Sequence, residues 1–344
     1  MKKEKIVLGM SGGVDSSVAA ILLQKKGFEV YGVFMKNWDD KNAICNAEDD
    51  YADAVSVCNQ LNIPLKKINY TKEYKDRVFS QFLDDHKNGF TPNPDVLCNK
   101  EIKFDVFQKY AKQIGATKIA SGHYAKIVKE NDNFFISKAS DRTKDQSYFL
   151  YQLKSSLLHN IEFPLGSLLK KDIRKIAEEN NLVNASKKDS TGICFIGDRK
   201  YNDFVCQFLK TKKGKIITVD GEEIGHHDGH MYFTVGQRKG LGIGARNSAF
   251  DKPWYVVNKD INKNIVYVAQ GGTHPALFSD QLLADNMYWS RDISKLLPFK
   301  CNAKVRYRDE DHSCQILSSN EDKCYIKFDN KIKAITNGQS IVLY

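Results

Sequence analysis

The stretch Lys5–Gly27, which reads KIVLGMSGGVDSSVAAILLQKKG, limits the possible folds of this chain more than any other segment. An apolar run at 6–10 is typical of a buried strand. The turn at 11–17 is rich in glycine and hydroxyl groups. Helical spacing then relates Val18, Ile21, Leu22 and Lys25. Gly27 follows, where a helix is expected to end. The order is therefore a strand, a phosphate-sized loop and a helix N-terminus.

The loop SGGVDSS at 11–17 has the features of an anion site. Glycines let the backbone approach a ligand, and the free N–H groups and dipole of a helix start attract phosphate. Asp15 suits such a site if a cation such as Mg²⁺ accompanies the phosphate. The lysine of the GxxxxGK[ST] loop is missing. A capped strand-to-helix turn is the alternative, but the whole string resembles the PP-loop of the ATP pyrophosphatase superfamily, whose members adenylate a carbonyl oxygen.

Length and charge set the broad class of the protein. The 344 residues suffice for two or three domains, and a hydrophobic fraction of 42% supports buried cores. No run of about eighteen apolar residues occurs, so we expect no membrane span. The start MKKEKIVLG lacks signal-peptide and transit-peptide character, and we expect a cytoplasmic protein. The net charge of +10 favours a polyanionic partner, although much of the lysine can be ordinary solvated surface.

Strand and helix patterns alternate through the first part of the chain. Strands are predicted at 29–35, 64–70 and 116–121, and helices at 47–62, 73–87 and 102–115. This alternation predicts an α/β fold with a doubly wound parallel sheet, in which ligands bind beyond the carboxyl ends of the strands. The PP-loop, Met35 and the segment 121–123 would therefore share one edge. Gly122 would let the backbone pass close to adenosine, and Met35 would pack on the base or, nearly as well, in the core.

The pattern of apolar residues and turns changes twice after the α/β region. A helical pattern runs from 151 to 186, a short helix is predicted at 203–210, and short β-rich segments with glycine-rich turns begin after Lys213. Beyond the glycine-rich segment at 271–275, four segments alternate as strands of a small barrel or sandwich. We therefore predict three domains: an ATP-binding catalytic domain at 1–200, a central β-rich domain at 201–275 and a C-terminal β-barrel at 276–344.

Most of the eight cysteines are interpreted as packing residues or surface thiols. No CxxC motif occurs, which argues against a zinc site, and we expect no metal. Cys58 and Cys206 fall on apolar patterns and are interpreted as packing residues. The pair His226-His227 at a tight turn is interpreted as surface residues rather than as metal ligands.

Two loops place cysteines in unusual settings. Cys98 ends a segment with two prolines, which we expect to be rigid and non-helical, and Asp95 lies three residues before it. Cys194 follows the polar turn at 189–193. A buried structural thiol is the better interpretation of either loop alone. In a chain that also has an adenylating loop, the two cysteines together favour redox chemistry. A persulfide or thiolate on one cysteine would attack the activated carbon, and the second cysteine would resolve the product by disulfide exchange.

Long motifs follow one another along nearly the whole chain. They are SGGVDSS, TPNPDVLCNKE at 91–101, SGHYA at 121–125, KDQSYFL at 144–150, DSTGICFIG at 189–197, GQRKGLGIG at 236–244, RYRD at 306–309 and NGQSIV at 337–342. In this order they resemble the family of bacterial tRNA-specific 2-thiouridylases, which convert the wobble uridine of the Lys, Glu and Gln tRNAs to 2-thiouridine. The resemblance implies that uracil O2 is adenylated by ATP and that a Cys194 persulfide supplies the sulfur, with Cys98 as nucleophile and disulfide partner.

The resemblance also implies a role for individual residues. ATP, with Mg²⁺, would bind to Gly9, Met10, Ser11, Gly12, Gly13, Val14, Asp15, Ser16, Met35 and Gly122. The flipped base would contact Asn93, Pro94 and Asp95, with Asp95 as acid or base. The tRNA would also contact His123, Lys144, Asp145, Gln146, Arg306, Tyr307 and Gln339. Without the resemblance, Lys144 and Arg306 would be interpreted as solvated surface.

The resemblance leaves alternatives open. The sequence ends at Tyr344, before the glycine-rich strand usual in the family, so we expect the last barrel to close differently and tRNA affinity to change. A cysteine desulfurase or a sulfur-relay protein would supply sulfur to a monomer. A different adenylating enzyme of the superfamily would not need two redox cysteines. A tRNA-binding protein without catalysis would not need Asp15, Asp95 or either cysteine.

Overall fold

The chain folds into two compact units. A computed structural model describes residues 3–39, 47–189, 192–193, 195–196, 201–243, 252–320 and 323–344. The first unit contains residues 1–80 and 94–198, and the second contains residues 81–93 and 199–344. The segment 81–93 thus leaves the α/β part of the chain and joins the second unit, which local sequence patterns do not reveal.

A parallel sheet forms the centre of the first unit. The strands of this unit are β1 (Lys5–Gly9), β2 (Glu29–Lys36), β3 (Leu65–Asn69), β4 (Lys118–Ala120), β5 (Ala125–Glu130), β6 (Asn133–Lys138) and β7 (Ile161–Glu162). Within the described residues, five of them pair in the order β3-β2-β1-β4-β7, and each pairing is parallel. β5 and β6 form a separate antiparallel hairpin. The predicted doubly wound parallel sheet is confirmed.

Helices cover this sheet. They are α1 (Val14–Lys25), α2 (Ala47–Gln60), α3 (Thr71–Tyr74), α5 (Pro94–Leu97), α6 (Asp105–Gln113), α7 (Ser155–Leu158) and α8 (Lys170–Glu179), with π-helical turns at 75–79 and 98–104. The remaining helix of this part of the chain, α4 (Ser80–Lys87), belongs to the second unit from residue 81 onward. Alternate residues of β1 point to opposite sides, because side chains of a strand alternate. Leu8 packs with Val18 of α1, whereas Val7 packs with Phe107 of α6. Both faces of the sheet are therefore buried.

One long prediction in this unit is wrong. The segment 151–186 is not a continuous helical region, since it contains α7, the two-residue strand β7 and α8. β7 pairs with β4 through Ile119↔Ile161 and extends the sheet. Two residues are too short to show the alternation that identifies a strand. The hairpin β5–β6 was also not predicted.

The second unit is mostly β-structure. It contains α9 (Tyr201–Val205), β8 (Gly214–Thr218), β9 (Glu223–His227), β10 (Trp254–Asp260), β11 (Ile265–Gln270), β12 (Phe278–Asp285), β13 (Phe299–Lys304), β14 (His312–Ser319), β15 (Lys323–Lys333) and β16 (Val342–Leu343). Among its described residues, one sheet has the order β10-β11-β8-β9 and a second, antiparallel sheet has the order β12-β15-β14-β13-β16. These two β-rich parts confirm the predicted fold class.

Three side chains test the packing predictions. Cys58 is 1% exposed and packs in the core of the first unit, as predicted. Cys206 is exposed, which corrects its interpretation as a packing residue. His227 is only 4% exposed and its ring lies 5.6 Å from that of Phe233, so it is not a surface residue. Among the described residues, no helix is both long and apolar enough to cross a bilayer.

Candidate nucleotide and thiol site

Serine side chains fix the PP-loop between β1 and α1. The Ser11 N–H donates to Ser16 Oγ at 3.2 Å, and the two hydroxyl oxygens also lie 3.2 Å apart. The hydroxyls of Ser16 and Ser17 each donate to the Gly13 carbonyl at 3.0 Å. The first N–H groups of α1 have no preceding helical carbonyl to bind, because the helix starts at Val14. The loop therefore presents N–H donors to an anion.

Close backbone contacts explain two glycines of the site. Gly12 has φ +76°, and a Cβ atom there would lie 2.1 Å from the Asp50 carbonyl oxygen. A Cβ atom on Gly122 would lie 3.0 Å from the backbone nitrogen of Ser16. Gly122 thus packs directly on the first turn of α1. The Gly12 carbonyl is held by Asn184, whose Nδ2 donates to it at 2.9 Å.

Other predicted ATP residues support the loop from within the core. Met10 and Val14 are 2% and 4% exposed. A Cβ atom on Gly9 would lie 2.6 Å from the Phe107 ring, so Gly9 allows close packing. Met35 is partly buried and packs against the core that contains Val7 and Phe107. Its contact with an adenine base stays a prediction.

Asp15 lies in the first turn of α1 and accepts two hydrogen bonds on one oxygen. The Tyr124 hydroxyl and Lys170 Nζ each donate to Oδ1 at 2.7 Å. Burial and the bond to Asp15 raise the pKa of Tyr124, which keeps its hydroxyl protonated as a donor. No described residue donates a hydrogen bond to Oδ2. This oxygen is therefore available to a hard cation such as Mg²⁺, which prefers carboxylate ligands.

Asp189 joins three cationic side chains. Its Oδ1 lies 2.7 Å from both Lys170 Nζ and the Arg174 guanidinium, and its Oδ2 accepts from Lys144 Nζ at 2.8 Å. Burial alone would raise the pKa of Asp189, but the hydrogen bonds from Lys144 and Lys170 lower it to about 2. Lys170 therefore bridges the carboxylates of Asp15 and Asp189.

Sequence reasoning missed Lys170, Arg174, Tyr124 and Asn184. Lys170 and Arg174 lie four residues apart on α8, where two cations repel each other unless an acidic group lies between them. This spacing is a weak signal that an acidic partner comes from elsewhere in the fold. Tyr124 lies in the SGHYA motif, but its distance of 109 residues from Asp15 hides the contact. No local pattern identifies Asn184.

Cys98 begins a π-helical turn, Cys98–Phe104, directly after α5. The preceding segment was expected to be non-helical, which is wrong from Pro94 onward. Proline is tolerated in the first turn of a helix because its missing N–H is not needed there. Cys98 is 1% exposed. Asn99 donates through Nδ2 to the Phe149 carbonyl at 3.1 Å, whereas its buried Oδ1 has no partner among the described residues.

Asp95 lies in α5, about one helical turn before Cys98, and its side chain is partly exposed. Burial raises the pKa of Asp95, and the positive charge of Lys103 offsets only part of that increase. A carboxyl group with a raised pKa exchanges protons more readily near neutral pH than an ordinary aspartate. This property suits the predicted acid or base.

Cys194 lies outside the described residues. The next residue, Phe195, is 1% exposed and belongs to an aromatic cluster. Its ring centroid lies 5.5 Å from that of Trp38, 5.2 Å from that of Phe79 and 5.9 Å from that of Tyr74. The chain immediately after Cys194 is therefore anchored in the core of the first unit.

The predicted tRNA residues of the first unit also have internal partners. His123 Nδ1 lies 2.7 Å from the Ser121 hydroxyl, and burial together with Lys103 lowers the pKa of His123 well below its ordinary value. Asp145 is 5% exposed and accepts hydrogen bonds from Ala139 N–H and the Ser147 hydroxyl at 2.8 Å. Gln146 Oε1 accepts the Tyr124 N–H at 3.0 Å. These side chains hold the loop beside the nucleotide site.

The predicted tRNA residues of the second unit lie near strand ends. Arg306 donates to the Ala334 carbonyl at 3.2 Å, and the Arg308 guanidinium lies 5.5 Å from the Tyr307 ring centroid. Gln339 Nε2 donates to the carbonyls of Thr91 and Pro92, at 2.8 and 3.4 Å. Asn93, which follows them, is partly exposed. Gln339 therefore anchors the start of the proline-containing segment.

No group of three or more His, Cys, Asp or Glu side chains among the described residues is placed to hold a metal ion. The single carboxylate of Asp15 at the PP-loop could hold Mg²⁺ only together with nucleotide phosphates, since Mg²⁺ is commonly bound by one or two carboxylates plus substrate phosphates.

Three family models match the chain in succession. They are the tRNA methyl transferase HUP domain at residues 4–198, the tRNA methyl transferase PRC-barrel domain at 202–270 and the aminomethyltransferase beta-barrel domain at 279–344. A tRNA-specific 2-thiouridylase of Geobacillus kaustophilus is 51% identical over 100% of this chain and 93% of its own length. The chain belongs to this family.

Other members have similar identity. The tRNA-specific 2-thiouridylase of Legionella pneumophila strain Lens is 51% identical over 99% of this chain and 95% of its own length. The tRNA-specific 2-thiouridylase of Bacillus subtilis is 49% identical over 99% of this chain and 91% of its own length. A 4-thiouridine synthetase in complex with RNA and ATP has a TM-score of 0.36 and 18% identity, and covers 59% of this chain and 50% of its own. That likeness is too distant to support a statement about function.

Proposed function

We propose that this chain is an ATP-dependent tRNA-uridine 2-sulfurtransferase that converts the wobble uridine of the Lys, Glu and Gln tRNAs to 2-thiouridine. Near-complete alignment with the 2-thiouridylases supports the reaction class. The observation that carries the proposal is the PP-loop, where Asp15 keeps Oδ2 available to a cation that accompanies ATP. Asp95 and Cys98 belong to the same unit as this loop. A methyl transferase would need neither an ATP loop nor paired thiols.

ATP is the activating substrate. Its phosphates would bind at the N-terminus of α1, where backbone N–H groups and the helix dipole favour negative charge. Asp15 would hold Mg²⁺ through Oδ2, and Met35 and Gly122 would face the adenosine. The O2 atom of uracil attacks the α-phosphorus and pyrophosphate leaves. AMP is then a much better leaving group on C2 than the original carbonyl oxygen.

Sulfur arrives as a persulfide on Cys194, loaded by a cysteine desulfurase or a sulfur-relay protein. The Cys98 thiolate attacks the inner sulfur of Cys194–S–SH, which forms a Cys98–Cys194 disulfide and releases hydrosulfide. Hydrosulfide adds to C2 and AMP leaves, while Asp95 accepts the proton. An external dithiol reduces the disulfide before the next turnover. The raised pKa of Asp95 is consistent with this proton transfer.

Thiolation of a Lys tRNA transcript with ATP, Mg²⁺, cysteine and a cysteine desulfurase tests the proposal, because thiolated tRNA is retarded in a mercury-containing gel. We expect a shift with the wild-type chain and none with Cys98→Ser or Cys194→Ser. Cys206→Ser is the matched control, since the Cys206 thiol is exposed and lies in the second unit. A transcript with cytidine at the wobble position should not shift.

The same assay separates the alternatives. Thiolation that persists in both cysteine variants would contradict the thiol roles. Pyrophosphate release without thiolation of any tRNA would favour another adenylating enzyme. Binding of tRNA without pyrophosphate release would favour a tRNA-binding protein without catalysis.

A further inference from the structure

A chain of ion pairs connects the PP-loop to Lys144. Lys170 Nζ lies 2.7 Å from Asp15 Oδ1 and 2.7 Å from Asp189 Oδ1, and Lys144 Nζ lies 2.8 Å from Asp189 Oδ2. All four side chains belong to the first unit. The Lys170 side chain is only 14% exposed, so its two ion pairs are poorly screened by solvent.

The backbone fixes Lys170 between these carboxylates. Lys170 begins α8, and its N–H donates to Asp141 Oδ2 at 2.9 Å. The carboxylate of Asp141 also accepts from the N–H and hydroxyl of Thr143, at 3.0 and 2.7 Å. The Lys144 N–H donates to the Asp141 carbonyl at 3.2 Å. The start of α8 and the loop that carries Lys144 are therefore one hydrogen-bonded structure.

The Lys170 amine thus forms ion pairs with two carboxylates that lie in different surroundings. Asp15 lies in the first turn of α1, where ATP phosphates would bring a large negative charge. Asp189 begins the segment that leads to Cys194, five positions later in the sequence. An added negative charge at the loop draws the Lys170 charge towards it and weakens its hold on Asp189. A change at Asp189 must in turn alter nucleotide binding, because coupling between two sites is reciprocal.

We propose that Lys170 is a positioning residue that couples nucleotide occupancy of the PP-loop to the placement of Asp189 and Lys144. The inference rests on the proposed function, because it assigns the nucleotide to this loop and the tRNA to Lys144. Lys170 orients Asp15 through Oδ1, so that Oδ2 faces a cation, and it holds the carboxylate of Asp189, which in turn pairs with Lys144.

A double-mutant cycle tests this coupling in the full-length chain. The probe is α,β-methylene-ATP with Mg²⁺, and its affinity is measured by titration calorimetry without tRNA. Asp189→Asn leaves the Lys170 charge less neutralised, so we expect nucleotide binding to become roughly fivefold tighter or more. Thiolation by the same variant should be slower, because Lys144 loses the carboxylate that positions its amine. A merely structural role would instead weaken both properties.

Lys170→Met should weaken nucleotide binding, and adding Asp189→Asn to Lys170→Met should produce no increase in nucleotide affinity. Adding Asp189→Asn to Lys170→Arg should still increase the affinity in part, since a guanidinium can bridge two carboxylates. Lys175→Met is the control, because Lys175 is an exposed lysine of the same helix, 3.7 Å from Glu179. Circular dichroism checks that each variant folds.

Weaker or unchanged binding in Asp189→Asn would overturn the inference, and so would an equal gain with and without Lys170. The two proposals fail differently. If the wild-type chain binds the nucleotide with this coupling but thiolates no tRNA, the proposed function fails. If it thiolates tRNA and the cycle shows no coupling, only the role of Lys170 fails.

Discussion

At the scale of single residues, Gly122 shows how little space the nucleotide loop leaves. A Cβ atom there would lie 3.0 Å from Ser16 N and 3.1 Å from the Asp15 carbonyl carbon. Both are backbone atoms of the first turn of α1, which cannot yield as a side-chain tip can. We expect Gly122→Ala to shift this turn at a cost of roughly 1–3 kcal/mol, and to weaken binding of α,β-methylene-ATP about tenfold or more.

The control for Gly122→Ala is Gly115→Ala. Gly115 follows α6 of the first unit, and it has φ +68° but no atom within 4 Å of a notional Cβ. That substitution should lower thermal stability through backbone strain while leaving the nucleotide affinity unchanged. Equal loss of affinity in both variants would show that general destabilisation, not the contact with α1, explains the effect.

Sequence reasoning found the residues of the site that lie in continuous motifs. Asp15, Ser16 and Gly122 follow strands, and the edge of a parallel sheet brings strand ends together. Lys170 and Asn184 contact the loop from distant positions, and such contacts depend on how α8 packs against α1. The predicted approach of Gly122 to adenosine stays a prediction, whereas the close contact that the structure shows is with the backbone of α1.

At the scale of elements, the predictions succeeded where a pattern was long. The helices α2 and α6 carry apolar residues at helical spacing, and the buried strand β1 is a continuous apolar run directly before a glycine-rich loop. β7 was missed because two residues carry no period, and its place depends on pairing with β4. The start of α5 was missed because the prolines were interpreted as helix breakers, although Pro94 occupies the first turn.

The contact between α4 and α9 predicts acid sensitivity of the second unit. His86 of α4 is 2% exposed, and the Tyr201 hydroxyl of α9 hydrogen-bonds its Nε2. Burial lowers the pKa of His86 from 6.5 to about 4, and the charges of Lys259 and His230 act in the same direction. The unfolded chain therefore binds this proton more tightly than the folded chain. The contribution of neutral His86 to the free energy of unfolding should be fully present above pH 6.5. The free energy of unfolding should then fall by about 3 kcal/mol as the pH decreases to 4.

Denaturant unfolding between pH 7 and 4 measures this effect. His86→Gln should lower stability at pH 7, because Tyr201 loses its partner, but should show a smaller decrease with falling pH than the wild-type chain. His226→Gln, at an exposed position of β9, is the control and should keep the wild-type pH dependence. If the free energy of unfolding changed with pH equally in His86→Gln and the wild-type chain, the role of His86 would be contradicted.

At the scale of the whole molecule, the division into units falls within the predicted base-binding segment. Residues 81–93 belong to the second unit, whereas Asp95 and Cys98 belong to the first. Thr91 is the anchor on the second unit: its N–H donates to the Asn337 carbonyl at 2.9 Å, and its carbonyl accepts from Gln339 Nε2 at 2.8 Å. This connection between residues 91 and 339 has no local sequence signal, and the family resemblance implied only a tRNA contact for Gln339.

The anchor predicts that Gln339 affects catalysis without contacting ATP. Gln339→Ala removes the donor to the Thr91 and Pro92 carbonyls, which should cost about 1 kcal/mol of local stability and loosen the segment that leads to Asp95. We expect the single-turnover thiolation rate to fall about tenfold and the affinity for α,β-methylene-ATP to stay unchanged. Gln339→Glu should be worse, because a carboxylate would face two carbonyl oxygens.

Gln281→Ala is the matched control, since Gln281 of β12 is an exposed glutamine whose Oε1 accepts from the Tyr325 hydroxyl at 2.9 Å. It should thiolate tRNA at the wild-type rate. Comparison of tRNA affinity with thiolation rate separates the two possible roles of Gln339. A residue that only contacts tRNA would change the dissociation constant and leave the rate at saturating tRNA intact. A residue that anchors the segment would lower that rate, because Asp95 and the base would no longer be held in reacting geometry.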